Sequence, residues 1–468
     1  MSGDDWTGAG ALEIAAAVKA GRTTAEAVVR QALSDIAKLG RSLNAFTQVL
    51  AQEAMTDAQA LDAMIAAGQA VGPLAGVPFA VKNLFDIKGV TTLAGSKIRS
   101  SAPPATADAT LISRLKAAGA ILVGALNMDE FAYGFVTENA HYGPTHNPHD
   151  LSRIAGGSSG GSAAIVAAGL APLTLGSDTN GSVRVPAGLC GVFGLKPTLG
   201  RLSRAGMFPF VESLDHAGLF ARTTAELALA YDVMQGPDPG DPGCANRPAQ
   251  PVSRTLDALA ERPLRVGVLG GWFALGAFPE VLESLARVGE ALDAKPVELP
   301  GAAAARSAAF CLSAHEGARL HLEDLRRRPH DFDLEVRDRL LAGALLPDEV
   351  VQAARAYRTV FRDEAARLFA DYDLLLAPAT PCPAPGIGQA TMTLNGEPVS
   401  VRKNLGAYTQ PISFIGLPVV AAPVNRPGLL PVGVQLIAPP WREDLALGAA
   451  LRLERLKVVA AHPPAAIG

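Results

Sequence analysis

Residues 156–161 read Gly-Gly-Ser-Ser-Gly-Gly, and residues 176–182 read Gly-Ser-Asp-Thr-Asn-Gly-Ser. Glycine allows backbone conformations that other residues avoid, so both stretches predict tight loops that present their serines. Upstream, Lys82 directly follows the apolar run of residues 76–81. A charged lysine is costly to bury, so it either reaches solvent or becomes neutral and therefore basic. Two glycine loops with serines and a basic lysine predict a serine hydrolase of the acyl-transfer type that needs no histidine.

Each of these residues also has a purely structural interpretation. Lys82 could reach the surface and pair with Asp86. Ser158 and Ser182 could each cap a helix that follows it. The helix after Ser182 is predicted to begin near Val183. Helix capping does not explain why both loops contain so many glycines, so we favour the hydrolytic interpretation.

The composition excludes several classes of protein. Of the 468 residues 49% are hydrophobic, which is enough for a large core, and the net charge is −4. Basic residues form no run or stripe, so we do not expect direct binding to nucleic acid. The N-terminus is polar and the longest apolar stretch, residues 163–176, contains proline and is too short for a membrane span, so we expect no membrane association.

The cysteines are far apart and form no C-x-x-C pair, which is typical of free thiols in a reducing compartment. They are Cys190, Cys244, Cys311 and Cys382. We therefore expect a cytoplasmic protein.

The order of apolar segments predicts an α/β core with parallel strand pairs. Residues 127–161 interrupt it as a long polar loop, which is usually functional. A Pro/Gly/Asp-rich segment at 237–251 is the best internal boundary. The predicted helices cover 11–39 (two helices, the second capped by Thr23 with Glu26), 111–118, 162–168, 302–328 and 334–371, and the predicted strands 74–81, 120–124, 170–175, 264–269, 374–377 and 432–436.

Other catalytic patterns are weak. Residues 157–161 match G-x-S-x-G, but no apolar strand is predicted before them, so we interpret the match as chance. His141, His146 and His149 lie in a loop with no periodicity to aim them at a metal. His315 and His321 are spaced wrongly for a zinc helix. We therefore expect neither metal nor cofactor.

Longer segments carry a family resemblance. Residues 156–161, 175–186 and 191–198, with Val-Lys-Asn at 81–83 and Gly-Val-Gln-Leu-Ile at 433–437, resemble the amidase signature family over essentially the whole chain. The resemblance implies an α/β fold with a large mixed β-sheet sandwiched between helices. It also implies a single domain, residues 1–468, made of a helical segment 1–70, a catalytic core 71–236, a variable region 237–372 and C-terminal core elements 373–457.

The family's catalytic triad is a lysine, a serine held by a cis peptide bond and a nucleophilic serine. The matching residues are Lys82, Ser158 and Ser182, and the 24-residue separation of the two serines equals that in the family, which selects Ser158 over Ser159. Asn180 stands where the family usually has glycine. Asparagine tolerates left-handed backbone better than most residues, so the loop can keep its shape.

The triad implies a mechanism in which neutral Lys82 accepts a proton from Ser158, which accepts one from Ser182. We expect the backbone N–H groups of residues 179–182 to bind the oxyanion, namely those of Thr179, Asn180, Gly181 and Ser182. Asp178 and Arg184 flank this loop, and we expect them to pair and support it.

Two subgroups of the family compete. Residues 127–131 and 137–139 resemble the glutaminase subunit of tRNA-dependent amidotransferases, whereas residues 85–97, 141–145 and 267–273 resemble hydrolases that release ammonia from 1-carboxybiuret. The second resemblance, which we favour, implies an acyl-enzyme mechanism that forms urea-1,3-dicarboxylate, and a small helical partner subunit beside a homodimer. A general amidase for small amides or ureido compounds is the remaining alternative.

A substrate carboxylate requires a cation. Arg337 and Arg339 lie where glutaminase-type relatives use arginine, and Arg201 and Arg204 are equally arguable. We also count Tyr133 and Ser159 as candidate substrate contacts.

Overall fold

The computed structural model describes residues 5–464. Its strands are β1 Phe46–Val49, β2 Pro78–Lys82, β3 Ile121–Leu126, β4 Glu138–Asn139, β5 Gly143–Pro144, β6 His146–Asn147, β7 Asp150–Ile154, β8 Leu173–Asp178, β9 Phe193–Lys196, β10 His216–Ala221, β11 Val266–Leu269, β12 Lys295–Val297, β13 Leu374–Pro378, β14 Thr391–Leu394, β15 Glu397–Ser400, β16 Val419–Pro423 and β17 Gly433–Ile437.

The α-helices are α1 Ala11–Lys19, α2 Ala25–Leu43, α3 Ala51–Ala66, α4 Thr110–Ala117, α5 Gly160–Ala167, α6 Arg184–Cys190, α7 Thr224–Met234, α8 Leu256–Glu261, α9 Pro279–Ala291, α10 Ala302–Arg327, α11 Leu334–Ala344, α12 Asp348–Asp371, α13 Val401–Asn404, α14 Gln410–Phe414 and α15 Glu443–Arg455. Within the described part of the chain, no helix combines the length and apolarity that a membrane crossing requires.

An 11-stranded sheet forms the centre of the fold, in the order β1-β3-β2-β8-β10-β9-β16-β17-β13-β11-β12. The pairs β2–β3, β2–β8, β11–β12 and β11–β13 are parallel, and the other neighbours are antiparallel. Every residue of β2, β3, β8 and β10 is buried, so helices cover both faces of the sheet there. The predicted fold class, a large mixed sheet between helices, is confirmed.

Most boundaries differ from the predicted ones by a few residues. Thr24, not Thr23, caps α2 and accepts a hydrogen bond from Ala27 N–H. The helical pattern predicted for residues 334–371 divides into α11 and α12, because the chain turns at residues 345–347 and Pro347 precedes α12.

The predicted polar loop contains more structure than its sequence indicates. Residues 150–154 form β7, a strand that the sequence pattern did not predict. It pairs with β6 in a ribbon outside the large sheet and forms an isolated bridge between Arg153 and Gly386. The residues 157–161 therefore do not form the strand-to-helix turn of an α/β-hydrolase.

The sheet positions the glycine loops. Strands β2 and β8 are parallel neighbours, so their carboxyl ends lie at the same edge of the sheet. Lys82 ends β2, and residues 179–182 follow β8 directly. Helix α5, which begins just after Ser158, packs on β2, β8 and β10. The fold thus brings the three segments that carry the predicted triad to one place.

Candidate active site

Lys82 is completely buried. Its Nζ lies 2.6 Å from Ser158 Oγ and 2.8 Å from Ser177 Oγ, within hydrogen-bond distance of both. Burial disfavours the charged ammonium and lowers the pKa of Lys82 to about 7, although nearby buried carboxylates oppose this shift. Asp86, which the structural interpretation paired with Lys82, instead accepts a hydrogen bond from the Thr92 hydroxyl. A substantial fraction of Lys82 is therefore neutral at pH 7.

Ser158 follows a cis peptide bond, Gly157–Ser158. Beneath this loop lies the buried carboxylate of Asp129, which accepts the N–H groups of Val136 at 3.2 Å and Thr137 at 2.9 Å. A Cβ on Gly157 would lie 2.2 Å from Asp129 Oδ2, so only glycine allows the loop to pack this closely. Burial raises the pKa of Asp129.

Residues 179–182 form an open turn between β8 and α6. Among residues 5–464 their four backbone N–H groups donate no hydrogen bond to the protein. Gly181 has a φ of +140°, and a Cβ there would lie 2.1 Å from Thr409 Oγ1, so glycine is required on both counts. Successive free N–H groups are suited to binding an anion.

The flanking residues support this turn. Arg184 binds Asp178 through two parallel hydrogen bonds of 2.9 Å, and both side chains are fully buried. Burial alone would raise the pKa of Asp178, but the Arg184 guanidinium outweighs it and holds that pKa well below its usual range. Arg184 Nη1 also donates to Gln435 Oε1 at 2.7 Å and to the carbonyl of Thr409 at 3.1 Å. The guanidinium is fully engaged within the protein.

The Thr179 side chain is held from below. Its hydroxyl donates to Asp215 at 2.6 Å, and Asp215 also accepts the N–H groups of Phe210 at 2.8 Å and Val211 at 2.9 Å. Burial raises the pKa of Asp215. The loop before β10 is thereby fastened to the turn that carries Ser182.

A cavity of about 370 Å³, counted with its opening to solvent, lies over this turn. Its lining includes two arginines and no aspartate or glutamate. The lining residues are Ala132, Tyr133, Gly134, Phe135, Thr179, Asn180, Ser182, Phe210, Phe310, Ser313, Arg339, Arg402 and Gln410. Asn180 Nδ2 donates to Ser313 Oγ at 2.8 Å, while its buried Oδ1 has no partner among the described residues.

The predicted substrate contacts divide into two groups. Tyr133 and Arg339 line the cavity, and the Arg339 guanidinium lies 4.0 Å from the centre of the Tyr133 ring. Arg337 does not line it and pairs with Asp338 at 2.9 Å. Ser159 is also absent from the lining, because its hydroxyl bonds with the backbone of Ser177.

The other predicted arginines lie elsewhere. Arg201 is buried against Trp441, 5.1 Å from the ring centre, and Arg204 binds Asp241 at 3.5 Å. Neither lines the cavity over Ser182.

The histidines of the polar loop have separate partners. His141 contacts Glu130 at 2.9 Å, and His146 and His149 bond to the carbonyls of Leu151 at 2.6 Å and Cys190 at 3.0 Å. No group of three or more potential metal ligands occurs between residues 5 and 464.

Several residues of the site were not predicted from the sequence. Ser177 lies in the quoted glycine loop, so its position could have been considered as a partner of Lys82. Asp129, Asp215 and Arg402 come from distant segments, and no local pattern singled them out as neighbours of the triad residues.

The fold and the site are those of an amide hydrolase. The profile of the Amidase family matches residues 27–447, and the chain belongs to this family. The family resemblance predicted from the sequence is confirmed, and the chain is a hydrolase that acts on amide C–N bonds.

Two curated relatives are similar to this chain over most of its length. The chain is 54% identical over 442 residues to AtzE, a 1-carboxybiuret hydrolase subunit of Pseudomonas sp. (strain ADP), and the match covers 94% of this chain and 96% of that protein. It is 38% identical over 472 residues to a glutamyl-tRNA(Gln) amidotransferase subunit of Chromohalobacter salexigens, with 95% of each chain covered.

Two solved structures are similar in fold to this chain over nearly its whole length. One, described as a vestigial protein complex that reveals the origins of an s-triazine catabolic enzyme, has a TM-score of 0.95 and 52% identity, covering 97% of this chain and all of the other. A 6-aminohexanoate cyclic dimer hydrolase has a TM-score of 0.87 and 28% identity, covering 98% and 99% of the two chains.

Proposed function

We propose that Lys82, Ser158 and Ser182 are the general base, the proton relay and the nucleophile of this hydrolase. The observation that carries the proposal is the 2.6 Å contact between a fully buried Lys82 Nζ and Ser158 Oγ, at a lysine whose pKa is lowered to about 7. A neutral amine can accept the Ser158 proton, which a charged ammonium cannot.

We propose that the transfer of a proton from Ser182 to Ser158 takes place only when substrate is bound. Within residues 5–464 Ser158 Oγ contacts Lys82 Nζ, and the Ser182 hydroxyl forms no hydrogen bond with another protein group. Catalytic hydrogen bonds commonly shorten only when substrate is bound. We propose that the carbonyl held by the amides of residues 179–182 brings Ser182 Oγ into contact with Ser158.

The reaction then proceeds in two stages. Ser182 Oγ bonds to the carbonyl carbon, its proton passes through Ser158 to Lys82, and the negative oxygen is held by the free N–H groups. The C–N bond breaks, and the nitrogen takes the relayed proton and leaves as ammonia. Water attacks the acyl-enzyme by the same relay, which releases the acid and restores Ser182.

The cavity supports a substrate that carries a carboxylate and no ammonium group. Two arginines line it, with no carboxylate among the lining residues. The unpartnered Asn180 Oδ1 supports binding of a substrate N–H group. We therefore propose hydrolysis of 1-carboxybiuret to urea-1,3-dicarboxylate and ammonia, in line with the relative that is 54% identical.

A glutaminase is the second candidate, because the amidotransferase relatives are 37–39% identical over most of the chain. Glutamine carries an ammonium beside its carboxylate, and the lining residues offer no acidic side chain to neutralise it. The charge of the cavity thus supports the ureido carboxylate over glutamine.

We further propose one domain, residues 1–468 with the four parts predicted from the sequence, because the 11-stranded sheet takes strands from Phe46 to Ile437. We also propose a homodimer with a small helical partner subunit, as the sequence resemblance implies. The description of a solved relative as a protein complex supports a partner of some kind. The cysteines are all free thiols, which supports a location in the cytoplasm.

The test measures ammonia release from 1-carboxybiuret, biuret and glutamine. It is run with and without co-expression of the small protein encoded by the neighbouring open reading frame. We expect 1-carboxybiuret to be preferred and Ser182→Ala to be inactive on every substrate. A fluorophosphonate should label Ser182 of the wild type and leave Ser182→Ala unlabelled. Labelling at another serine would contradict the assignment of the nucleophile, and preference for glutamine would contradict the substrate.

A further inference from the structure

One of the two arginines that line the cavity over Ser182, Arg402, was not indicated by any sequence pattern. Arg402 lies on the short helix α13, directly after the hairpin of β14 and β15. It lines the cavity together with Arg339. It also lines a neighbouring cavity, so it stands in the wall between the two. The other residues that line the second cavity are Glu138, Asn139, Pro144, Glu335, Ile387, Gly388, Gln389, Ala390 and Ser400.

Arg402 is held from one side only. Its Nη2 donates to Glu138 Oε2 at 3.1 Å and, more weakly, to the Glu138 carbonyl at 3.5 Å. The other Glu138 oxygen accepts the N–H of Gly388. Arg402 Nε and Nη1 donate to no other residue between positions 5 and 464, and 30% of the side chain is exposed. Two donor groups of this guanidinium are therefore available for a ligand.

Arg339 is more committed to the protein. Its Nε donates to the carbonyl of Glu335 at 2.9 Å and its Nη2 to that of Tyr133 at 2.5 Å. Its face is stacked on the Tyr133 ring. Arg402 thus has the larger unused donor capacity of the two arginines, and a hydrogen bond between a guanidinium and a carboxylate is strengthened by both charges.

We propose that Arg402 binds the carboxylate of the substrate and determines the preference of this hydrolase for anionic over neutral amides. The inference rests on the proposed function, because it assigns the charged end of the substrate to the same cavity as Ser182. Glu138 holds Arg402 in place from the neighbouring cavity and is not a lining residue of the active-site cavity.

The charge of the substrate can be varied without changing its length. Glutaramate has the same spacing between carboxylate and amide as 1-carboxybiuret, pentanamide lacks the carboxylate, and glutamine is glutaramate with an added ammonium. These compounds are stable in water, whereas carbamic acids lose carbon dioxide. The ratio of kcat/KM for glutaramate to that for pentanamide therefore reports recognition of the carboxylate alone.

We expect Arg402→Gln to lower this ratio about 10- to 100-fold, mainly through KM for glutaramate, because hydrogen bonds to charged groups have that effect. The kcat/KM for pentanamide should change less than about threefold. Arg402→Lys should restore part of the ratio, since it keeps the positive charge but not the fixed directions of the guanidinium donors. Arg442→Gln is the matched control, because Arg442 is a half-exposed arginine paired with Asp444 and lines no part of this cavity.

A parallel loss on glutaramate and pentanamide, or an unchanged ratio, would overturn the proposal. If turnover of pentanamide is too slow to measure, protection of Ser182 from fluorophosphonate by glutarate replaces it, and Arg402→Gln should weaken that protection at least tenfold. Unchanged protection would overturn the role of Arg402. Absence of labelling in the wild type would instead contradict the proposed nucleophile, so the two failures are distinguishable.

Discussion

Two lysines of this protein are similar in burial and different in surroundings. Lys82 ends β2 and Lys196 ends β9, both are completely buried, and burial lowers the pKa of each to about 7. Lys82 contacts the hydroxyls of Ser158 and Ser177. Lys196 instead donates to the backbone carbonyls of Leu417 and Pro197.

The difference shows that burial and a lowered pKa do not by themselves make a base. A carbonyl oxygen has no proton to give, so the neutral amine of Lys196 has nothing to accept from it. Within residues 5–464 the other hydrogen-bond neighbour of Lys196 Nζ is His216 Nε2, at 3.3 Å, and His216 Nδ1 lies 2.6 Å from the carbonyl of Leu214. Of these two lysines, Lys82 is the one that contacts side-chain hydroxyls, those of Ser158 and Ser177.

The largest expected effect comes from replacing each lysine by methionine. Lys82→Met should lower kcat/KM about 10²- to 10⁴-fold, the usual contribution of a general base. Lys196→Met should stay within about threefold of the wild type, because its partners are backbone carbonyls. Steady-state ammonia release measures both, with circular dichroism to verify folding. Equal losses in two folded variants would remove the distinction between the lysines.

A smaller effect should follow when the hydroxyl partner of Lys82 is removed. We expect Ser158→Ala to lower kcat about 10²-fold, because water can replace part of the relay. The matched control is Ser162→Ala, which removes a buried hydroxyl that donates to the Leu175 carbonyl and should leave kcat near that of the wild type. Ammonia release under saturating substrate measures both variants. Full activity of Ser158→Ala would exclude the relay.

The pH profile separates the two lysines further. Protonation of Lys82 removes the base, so kcat/KM should fall about tenfold per pH unit below pH 7, near the lowered pKa. The kcat/KM of Lys196→Met should show the same fall below pH 7, which is the acidic limb of the profile. The profile of Lys82→Met should lack this limb. If the limb instead disappeared in Lys196→Met, the titrating group would be misassigned.

The smallest effect concerns stability, and here the lysines should behave alike. Between pH 7 and 10.5 each lysine is neutral when folded and protonated when unfolded, so the free energy of unfolding rises with pH. Each lysine contributes a slope of about 1.4 kcal/mol per pH unit. Lys82→Met and Lys196→Met should each reduce the slope by that amount in urea titrations. A slope unchanged by either replacement would show that this lysine stays charged.

Much of the site followed from the sequence because its signals are local. The glycines around Ser158 and Ser182 predicted the loops, and the apolar run before Lys82 predicted a buried strand end. Family membership and fold class were predicted correctly from the same segments. The prediction failed to separate Arg337 from Arg339, because both lie on α11 and only its packing decides which one reaches the cavity.

The sequence alone indicated the kind of chemistry, since a lysine and two serines on glycine loops resemble the amidase signature family, to which the chain belongs. The tertiary structure decided which groups meet. It buried Lys82 against Ser158 and Ser177, placed Asp129 beneath the cis peptide bond, and brought Arg402 from a distant hairpin to the cavity. The reason is physical: local spacing sets backbone conformation, whereas desolvation and charge depend on neighbours that only the strand order of the sheet brings together.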